Sequence, residues 1–361
     1  VIDDQNIFHD ADVEQAVQAG GIVRTRDRTL CLPSVFGFCN GVRQALELLQ
    51  QTIDAHGGER VWLLGEIIHN QTVSRFFAAQ GVRVIPEHDI DTVLDVATPS
   101  DIIVIPAFGV PLPLHRALIA RQPSQVVDAT CGYIKAIWRY VAERAEERKT
   151  ILIHAKIDHP ETRATISRAL TTKNAVVLIP DYAVAQQVAD AIRQGNATAI
   201  PAQFILHPDH LDLSRLAVVN QTTMLADDTH AIADLLQRAQ ADAGGQLHDQ
   251  ITLCGATQTR QDAARELCSR GCDLALVIGG YESSNTNQLF RLAQAFGPTY
   301  FIDGPQAIAP NSIRHYLPEH HRETETDNWL QPRARRVCLL AGASCPPSDI
   351  GGVIRALRLL T

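Results

Sequence analysis

The sequence predicts an α/β protein with mainly parallel sheets, arranged as three α/β subdomains around a pseudo-threefold axis. Three observations lead there. Compact apolar runs alternate with amphipathic stretches along nearly the whole chain. The runs are apolar on both faces, as strands covered by helices on each side must be. A strand–cysteine–helix pattern recurs three times, at Cys39, Cys131 and Cys254, with roughly one small α/β unit between successive copies.

The first 28 residues stand outside this repeat and read as an added helical arm, periodic around Val13, Ala16 and Val17. Residues 29–130 form subdomain 1, with strands in RTLCLPSV, RVWLLGEII, DIIVIPAF and SQVVDAT and a helix in GVRQALELLQQTIDAH; the segment 336–361, opening with the strand RVCLLAG, returns to the centre. Residues 131–253 form subdomain 2, with the helices YIKAIWRYVAERAEER and DDTHAIADLLQRAQADA around the strands TILIHAK, AVVLI and LAVVN. Residues 254–335 form subdomain 3, with the helix QTRQDAARELCSRG and the strand LALVIGG. The polar stretch from Pro318 to Arg335 reads as a surface loop before the last strand.

The chain has 361 residues, 45% hydrophobic and 20% charged, an ordinary globular balance with ample core. A formal net charge of −8 argues against nucleic acid as a partner, although a local basic pocket for a small anion stays open. No apolar run approaches the ~18–20 residues of a membrane span, so no membrane association is expected. The opening VIDDQNIFHDADVEQ is acidic and has no continuous apolar stretch, so a secretory signal is not expected and a cytoplasmic location is. Eight cysteines spread over so long a chain do not make a disulfide framework, and no CxxC pair occurs. The closest pair, Cys268 and Cys272, falls at i,i+4 on the expected helix and reads as structural.

A cysteine at a helix start lies in the positive end of the helix dipole, which favours the metal-binding thiolate. In open α/β sheets, sites form at the carboxyl ends of strands. Three such units would therefore bring Cys39, Cys131 and Cys254 to one point. Three thiolates on a four-iron cluster leave one iron open to substrate. Zinc is a second occupant of such a site, and ordinary buried cysteines are the plain alternative. Polar groups recur beside these cysteines. His69 and Asn70 follow a strand in GEIIHNQTV, and His159 and Glu161 lie in a loop in HAKIDHPET. NQTT, containing Thr222, precedes a helix capped by Asp227 or Asp228. Ser283, Ser284 and Asn285 start a helix in GGYESSNTNQL, and Ser344 stands near another helix start in AGASCPPSD. Hydroxyl, amide and N–H groups at helix starts can cradle phosphate, and simple N-capping is the alternative for each.

Taken in order, GFCNGV, GEIIHN, AFGV, DATC, HPET, NQTT, TLCGATQTRQ, GGYESSNTNQL and AGAS resemble the motifs of the 4-hydroxy-3-methylbut-2-enyl diphosphate reductase family, also called LytB, from about Cys31 to Leu360. The resemblance implies a trefoil of three α/β units around a central [4Fe-4S] cluster. It implies reductive removal of the hydroxyl of an allylic diphosphate, by two one-electron transfers and protonation. Carried over motif by motif, Cys39, Cys131 and Cys254 would bind the cluster. Glu161 would supply the proton and Thr222 would orient the substrate hydroxyl. His69, His159, Ser283, Asn285 and Ser344 would hold the diphosphate, with Ser284 beside them. The electron donor implied is an external ferredoxin or flavodoxin.

Departures from the family pattern cluster around the anion site. AFGV puts Phe108 where the family carries a diphosphate-binding histidine. DATCG replaces DATCP, and Lys135 and Trp138 stand where a lysine–histidine pair is usual. VFGFC lacks the arginine of the usual lead-in, NQTT replaces TQTT, and Arg163 follows HPE as a possible compensating cation. Three functional readings follow: the standard reductase, a paralogue using the same cluster on a different substrate, with or without a diphosphate, with Phe108 packed against it, and a cluster-binding redox sensor without turnover.

Overall fold

The computed structural model describes residues 6–121, 125–245, 247–249 and 252–360. They fold into two compact units. One comprises residues 6–59, 66–84 and 255–360; the other comprises Arg60–Gly65 and Ile85–Cys254. The architecture is α/β, and its sheets are mainly parallel.

The first unit is built on a five-stranded sheet in the order Ile22–Arg24, Thr29–Cys31, Arg336–Ala341, Leu274–Ile278, Thr299–Ile302. All pairings are parallel except that of the edge strand Ile22–Arg24. Strand alternation divides its core in two. Leu274, Leu276, Ile278, Val337 and Leu339 face the C-terminal helix Pro347–Leu359 through Ile350, Val353, Ile354 and Leu357. Ala275, Val277, Cys338 and Leu340 face the helices Gly255–Ser269 and Ser284–Gln294.

Three expectations change in this unit. The N-terminal segment is part of the sheet layer rather than an appended arm. Its helix Ala11–Gln18 buries Val13 and Ala16 in the core, and Arg355 of the C-terminal helix pairs with Asp10 and Asp12 at 2.9 and 2.7 Å. The polar stretch after Pro318 is not all loop. Arg322–Asp327 pairs antiparallel with Ser312–Leu317, because the alternation in RETETD suits a strand with one face wet. The strand Thr29–Cys31 joins Arg336–Ala341 and Leu274–Ile278, so residues 29–31 belong to the sheet of segment 254–335 rather than with Val61–Leu64.

The second unit carries two sheets. In one, Val61–Leu64, Ile102–Ile105 and Val126–Asp128 run parallel. In the other, Leu247–Asp249, Leu216–Asn220, Thr150–His154 and Val176–Ile179 run parallel, with Ile205–Leu206 antiparallel at the edge. Its two faces bury Leu152, Val177 and Val218 on one side and Ile151, Ile153 and Val219 on the other.

Close backbone approach is required where the helix Asn40–His56 ends. A Cβ on Gly58 would stand 1.8 Å from the carbonyl oxygen of Gln80, and the Gln50 and Gln80 side chains are hydrogen-bonded at 2.9 Å across the same junction. Gly58→Ala is therefore expected to lower stability by about 2–3 kcal/mol in denaturant unfolding. Unchanged stability would show that this junction is looser than described.

Candidate active site

Every candidate side chain sits just past the carboxyl end of a parallel strand, and strand register decides which ones meet. In the second unit Asn220 pairs in register with His154, and the ladder continues as the Gln221 N–H donates to the His154 carbonyl at 2.9 Å. The loops that leave these strands are thereby held side by side. From one comes the helix Pro160–Ala169, whose N-cap is His159; its Nδ1 accepts the Glu161 N–H at 3.2 Å. His159 and Glu161 are thus at a helix start and not in a loop, which Pro160 in the first turn explains.

From the other strand comes Thr222. Its N–H donates to Glu161 Oε1 and its hydroxyl donates to Glu161 Oε2, each at 2.7 Å. The Glu161 side chain is buried, with 2% of the residue exposed. Burial pushes its carboxyl up from 4.5 to about 7, against the pull of the two Thr222 hydrogen bonds. The Thr222 carbonyl in turn accepts the Cys254 N–H at 3.1 Å. Asn220 and Thr252 are cross-bonded, Thr252 N–H to Asn220 Oδ1 at 2.7 Å and Asn220 N–H to Thr252 Oγ1 at 2.9 Å, which ties the segment before Cys254 to the same strand end. Asp227 and Asp228 do not cap the next helix. The N-cap of Ala226–Asp242 is Leu225, and both aspartates lie in the first turn, where they oppose the helix dipole.

Cys131 and Phe108 share the other strand pair of this unit. Ile105 and Asp128 are in register, and the Cys131 N–H donates to the Ala107 carbonyl at 3.0 Å. Phe108 meets the His159 ring edge-on, with centroids 5.5 Å apart. Gly109, at φ +75°, lies against Trp138; a Cβ there would stand 2.2 Å from the indole. Trp138 donates to Thr165 Oγ1 at 3.2 Å and carries the Arg168 guanidinium 3.3 Å above its ring. Arg163 is ion-paired with Glu87, and both side chains are partly exposed.

The first unit repeats the device. Ile278 and Ala341 are in register, and the Gly342 N–H donates to the Ile278 carbonyl at 3.1 Å. The two following loops carry Ser283 to Asn285 and Ser344. Ser344 Oγ–H lies 3.1 Å from Ser283 Oγ and 3.3 Å from the His69 carbonyl oxygen. Gly280 lets His69 come this near, since a Cβ would stand 2.2 Å from its carbonyl oxygen. His69 Nδ1 contacts Glu66 at 3.1 Å, and Asn70 caps the helix Gln71–Ala78. Asn285 Oδ1 accepts the Ala343 N–H at 2.8 Å, and the Ala343 carbonyl accepts the Cys39 N–H at 3.1 Å. Cys39 is therefore two hydrogen bonds from Asn285.

Ser283 does cap the helix Ser284–Gln294. Ser284 Oγ and Asn285 Nδ2, by contrast, are buried polar atoms with no hydrogen-bond partner in the protein. Both atoms lie at the positive start of an eleven-residue helix, where an anion could satisfy them. Sequence reasoning missed Asp349 nearby. It is buried, receives hydrogen bonds from Thr72 at 2.9 Å and Asn70 at 3.4 Å, and burial lifts its carboxyl to about 6. The only sequence signal was an acid in the first turn after PP.

The three cysteines supply soft donors alone, the chemistry an iron–sulfur cluster requires. Cys39 and Cys131 are helix N-caps, Cys254 immediately precedes the helix Gly255–Ser269, and all three are half-buried. Cys39 Sγ accepts the Val42 N–H at 3.3 Å.

Because Glu161 holds its proton to about pH 7 when folded and ionises near 4.5 when unfolded, the folded state loses stability as pH rises between those values. Glu161→Gln removes this titration. Its stability relative to the parent should therefore rise with pH across that window, by up to about 3 kcal/mol in denaturant titrations. A pH-independent difference would mean that Glu161 ionises normally.

The LytB protein family model matches residues 30–358. A curated relative from Thermosynechococcus vestitus, named 4-hydroxy-3-methylbut-2-enyl diphosphate reductase, is 34% identical over 350 residues, spanning 92% of this chain and 85% of the relative. One of the same name from Nostoc sp. is 35% identical over 351 residues, with the same coverage of 92% and 85%. Among solved structures, the E-1-hydroxy-2-methyl-but-2-enyl-4-diphosphate reductase of Plasmodium falciparum matches with a TM-score of 0.69 at 21% identity, over 91% of this chain and 87% of that one. A second structure, of (E)-4-hydroxy-3-methyl-but-2-enyl diphosphate reductase, matches with a TM-score of 0.56 at 22% identity, over 91% and 99%. Both likenesses extend over the α/β fold described above.

Proposed function

Because the chain belongs to the LytB protein family, we propose that it is an iron–sulfur oxidoreductase of isoprenoid biosynthesis that reductively removes the hydroxyl of 4-hydroxy-3-methylbut-2-enyl diphosphate. The single observation that best supports this reading is the Glu161–Thr222 pair, a buried acid that keeps its proton near neutral pH and is hydrogen-bonded to the Thr222 hydroxyl.

In the proposed reaction one C–O bond breaks, the oxygen leaves as water and the allyl carbon gains a hydrogen. Two electrons and two protons are consumed. Cys39, Cys131 and Cys254 would hold a [4Fe-4S] cluster, which when bound supplies the electrons and an open iron for the substrate oxygen. The electrons come from an external small donor of the ferredoxin or flavodoxin type. The proposal places the enzyme in the cytoplasm, where thiols stay reduced.

The chain's own residues do the rest. Thr222 positions the substrate hydroxyl, because its own hydroxyl is fixed by Glu161 Oε2 and leaves a lone pair for a new donor. Glu161 supplies protons; near pH 7 it holds one about half the time and regains it readily. Ser284 Oγ and Asn285 Nδ2, backed by Ser283, Ser344 and His69, bind the diphosphate at the helix start, and His159 is assigned to the same ligand by its motif. Phe108 contributes no donor there. Its ring buttresses His159 and gives the pocket an apolar wall against the substrate's methyl-bearing carbons.

Anaerobic turnover with a chemical reductant tests the proposal. Glu161→Gln should keep the iron and lose about a hundredfold or more in kcat. In the parent, activity should fall as pH rises above about 7, because the acid form of Glu161 is lost. Full turnover by the variant would remove Glu161 as proton source, and no turnover by the parent would reject the substrate. Phe108→His should lower KM for the diphosphate by about tenfold or more, the value of one added charge-assisted donor.

A further inference from the structure

A second group of thiols lies in the first unit, apart from the cysteines considered so far. The sulfur atoms of Cys268, Cys272 and Cys338 all lie within 4.8 Å of one another. Cys268 is in the last turn of the helix Gly255–Ser269, Cys272 is in the loop that follows, and Cys338 is on the central strand Arg336–Ala341. The i,i+4 spacing of the first two had indicated a pair on one helix. The helix instead ends at Ser269, and the turn swings Cys272 back over the helix end toward the sheet. Cys272 Sγ reaches the sulfur of both other cysteines and the Leu274 carbonyl, 3.2 Å away. A fourth thiol stands beside them. Cys31 pairs in register with Cys338 on the adjacent parallel strand, so both side chains leave the same sheet face into the same apolar cluster.

A single buried cysteine is an ordinary core residue. Three sulfurs in mutual contact with a fourth alongside are a different object. They come from three separate stretches of chain, and no apolar packing need requires sulfur at all four positions. Thiolates bound to one ion at about 2.3 Å are separated from each other by about 4 Å, so the sulfurs of Cys268, Cys272 and Cys338, all within 4.8 Å of one another, are already drawn together to nearly the size of a coordination shell. Cys268, Cys338 and Cys31 are buried, while Cys272 is half-buried and gives the group its access to solvent. The donors are sulfur only, which selects a soft ion over calcium or magnesium.

We propose that Cys268, Cys272 and Cys338, with Cys31 closing the shell, form a second metal site that binds one thiophilic d10 cation, zinc(II) or copper(I). Binding releases thiol protons and joins the end of the helix Gly255–Ser269 to the central sheet. That helix starts right after Cys254 and also holds the loop before Cys39, through Arg260, which donates to the Gly37 carbonyl at 2.7 and 3.1 Å. Its fifteen residues put the two ends ~20 Å apart, so the ion is a structural clamp at the far end and takes no part in the reaction.

The test uses the full-length holoprotein, prepared anaerobically and equilibrated with zinc(II) or copper(I) against a competing chelator. The proposal expects about one such ion retained per chain in addition to iron, and zinc-edge X-ray absorption of the unmodified protein showing sulfur ligands at about 2.3 Å. Cys272→Ala, at the least buried of the four, should weaken retention by about a hundredfold or more with the iron content unchanged. The triple variant Cys39→Ala, Cys131→Ala, Cys254→Ala should retain the ion while losing iron. Cys31→Ala separates the two ions, since it weakens a four-coordinate zinc site and spares a three-coordinate copper(I) site; a zinc affinity it leaves untouched removes Cys31 from the shell. No retained ion, an ion bound through oxygen or nitrogen, or retention indifferent to Cys272→Ala overturns the proposal. So does mass spectrometry showing a disulfide among these cysteines in protein that binds no ion.

Discussion

Both carboxylate oxygens of Glu161 rest on a single residue, Thr222, inside a part of the protein from which water is excluded. The proton chemistry depends on that constraint. In water the group would ionise near 4.5; buried, it stays neutral to about 7. The two hydrogen bonds favour the charged form and burial opposes it, and burial is the larger effect. The result is an acid poised at the pH where it can both give and regain a proton. In the proposed reaction Thr222 would also fix where the proton is offered, because its hydroxyl donates to Glu161 Oε2.

This pairing is possible because two neighbouring parallel strands end level with each other. Register between His154 and Asn220 sets the loop bearing Glu161 beside the loop bearing Thr222. Register between Ile278 and Ala341 does the same for Ser283 and Ser344, and that between Ile105 and Asp128 does so for Phe108 and Cys131. Each site fragment is thus an outcome of sheet topology. A slip of one residue in any pair would turn its whole set of buried side chains to the wrong face, so the apolar cores on either side of each sheet protect the chemistry at its end.

That rule explains what was legible in the sequence. Eight of the nine strands visible as apolar runs are central in their sheets; the ninth, Val126–Asp128, is a half-buried edge strand. Those missed, such as Ile22–Arg24, Ile205–Leu206 and the hairpin Ser312–Leu317 with Arg322–Asp327, lie at edges or carry polar faces, where composition resembles that of a loop. Candidate site residues within motifs were legible because motifs are local. Contacts made by distant segments were not. Nothing near Arg163 announces Glu87 as its partner, and nothing near Asp349 announces Thr72. Cys338 is hidden in the same way. Its strand looks like any apolar strand, and only folding brings it to Cys268 and Cys272.

The central claim is that Glu161 is a neutral acid at the site, and the most direct measurement is its protonation. Infrared titration of the protein with isotope-labelled glutamate, differenced against Glu161→Gln, isolates the signal of this one carboxyl. The account predicts a protonated carbonyl band that persists above pH 6 and reaches its midpoint near 7. A band that disappears near the ordinary 4.5 would contradict it.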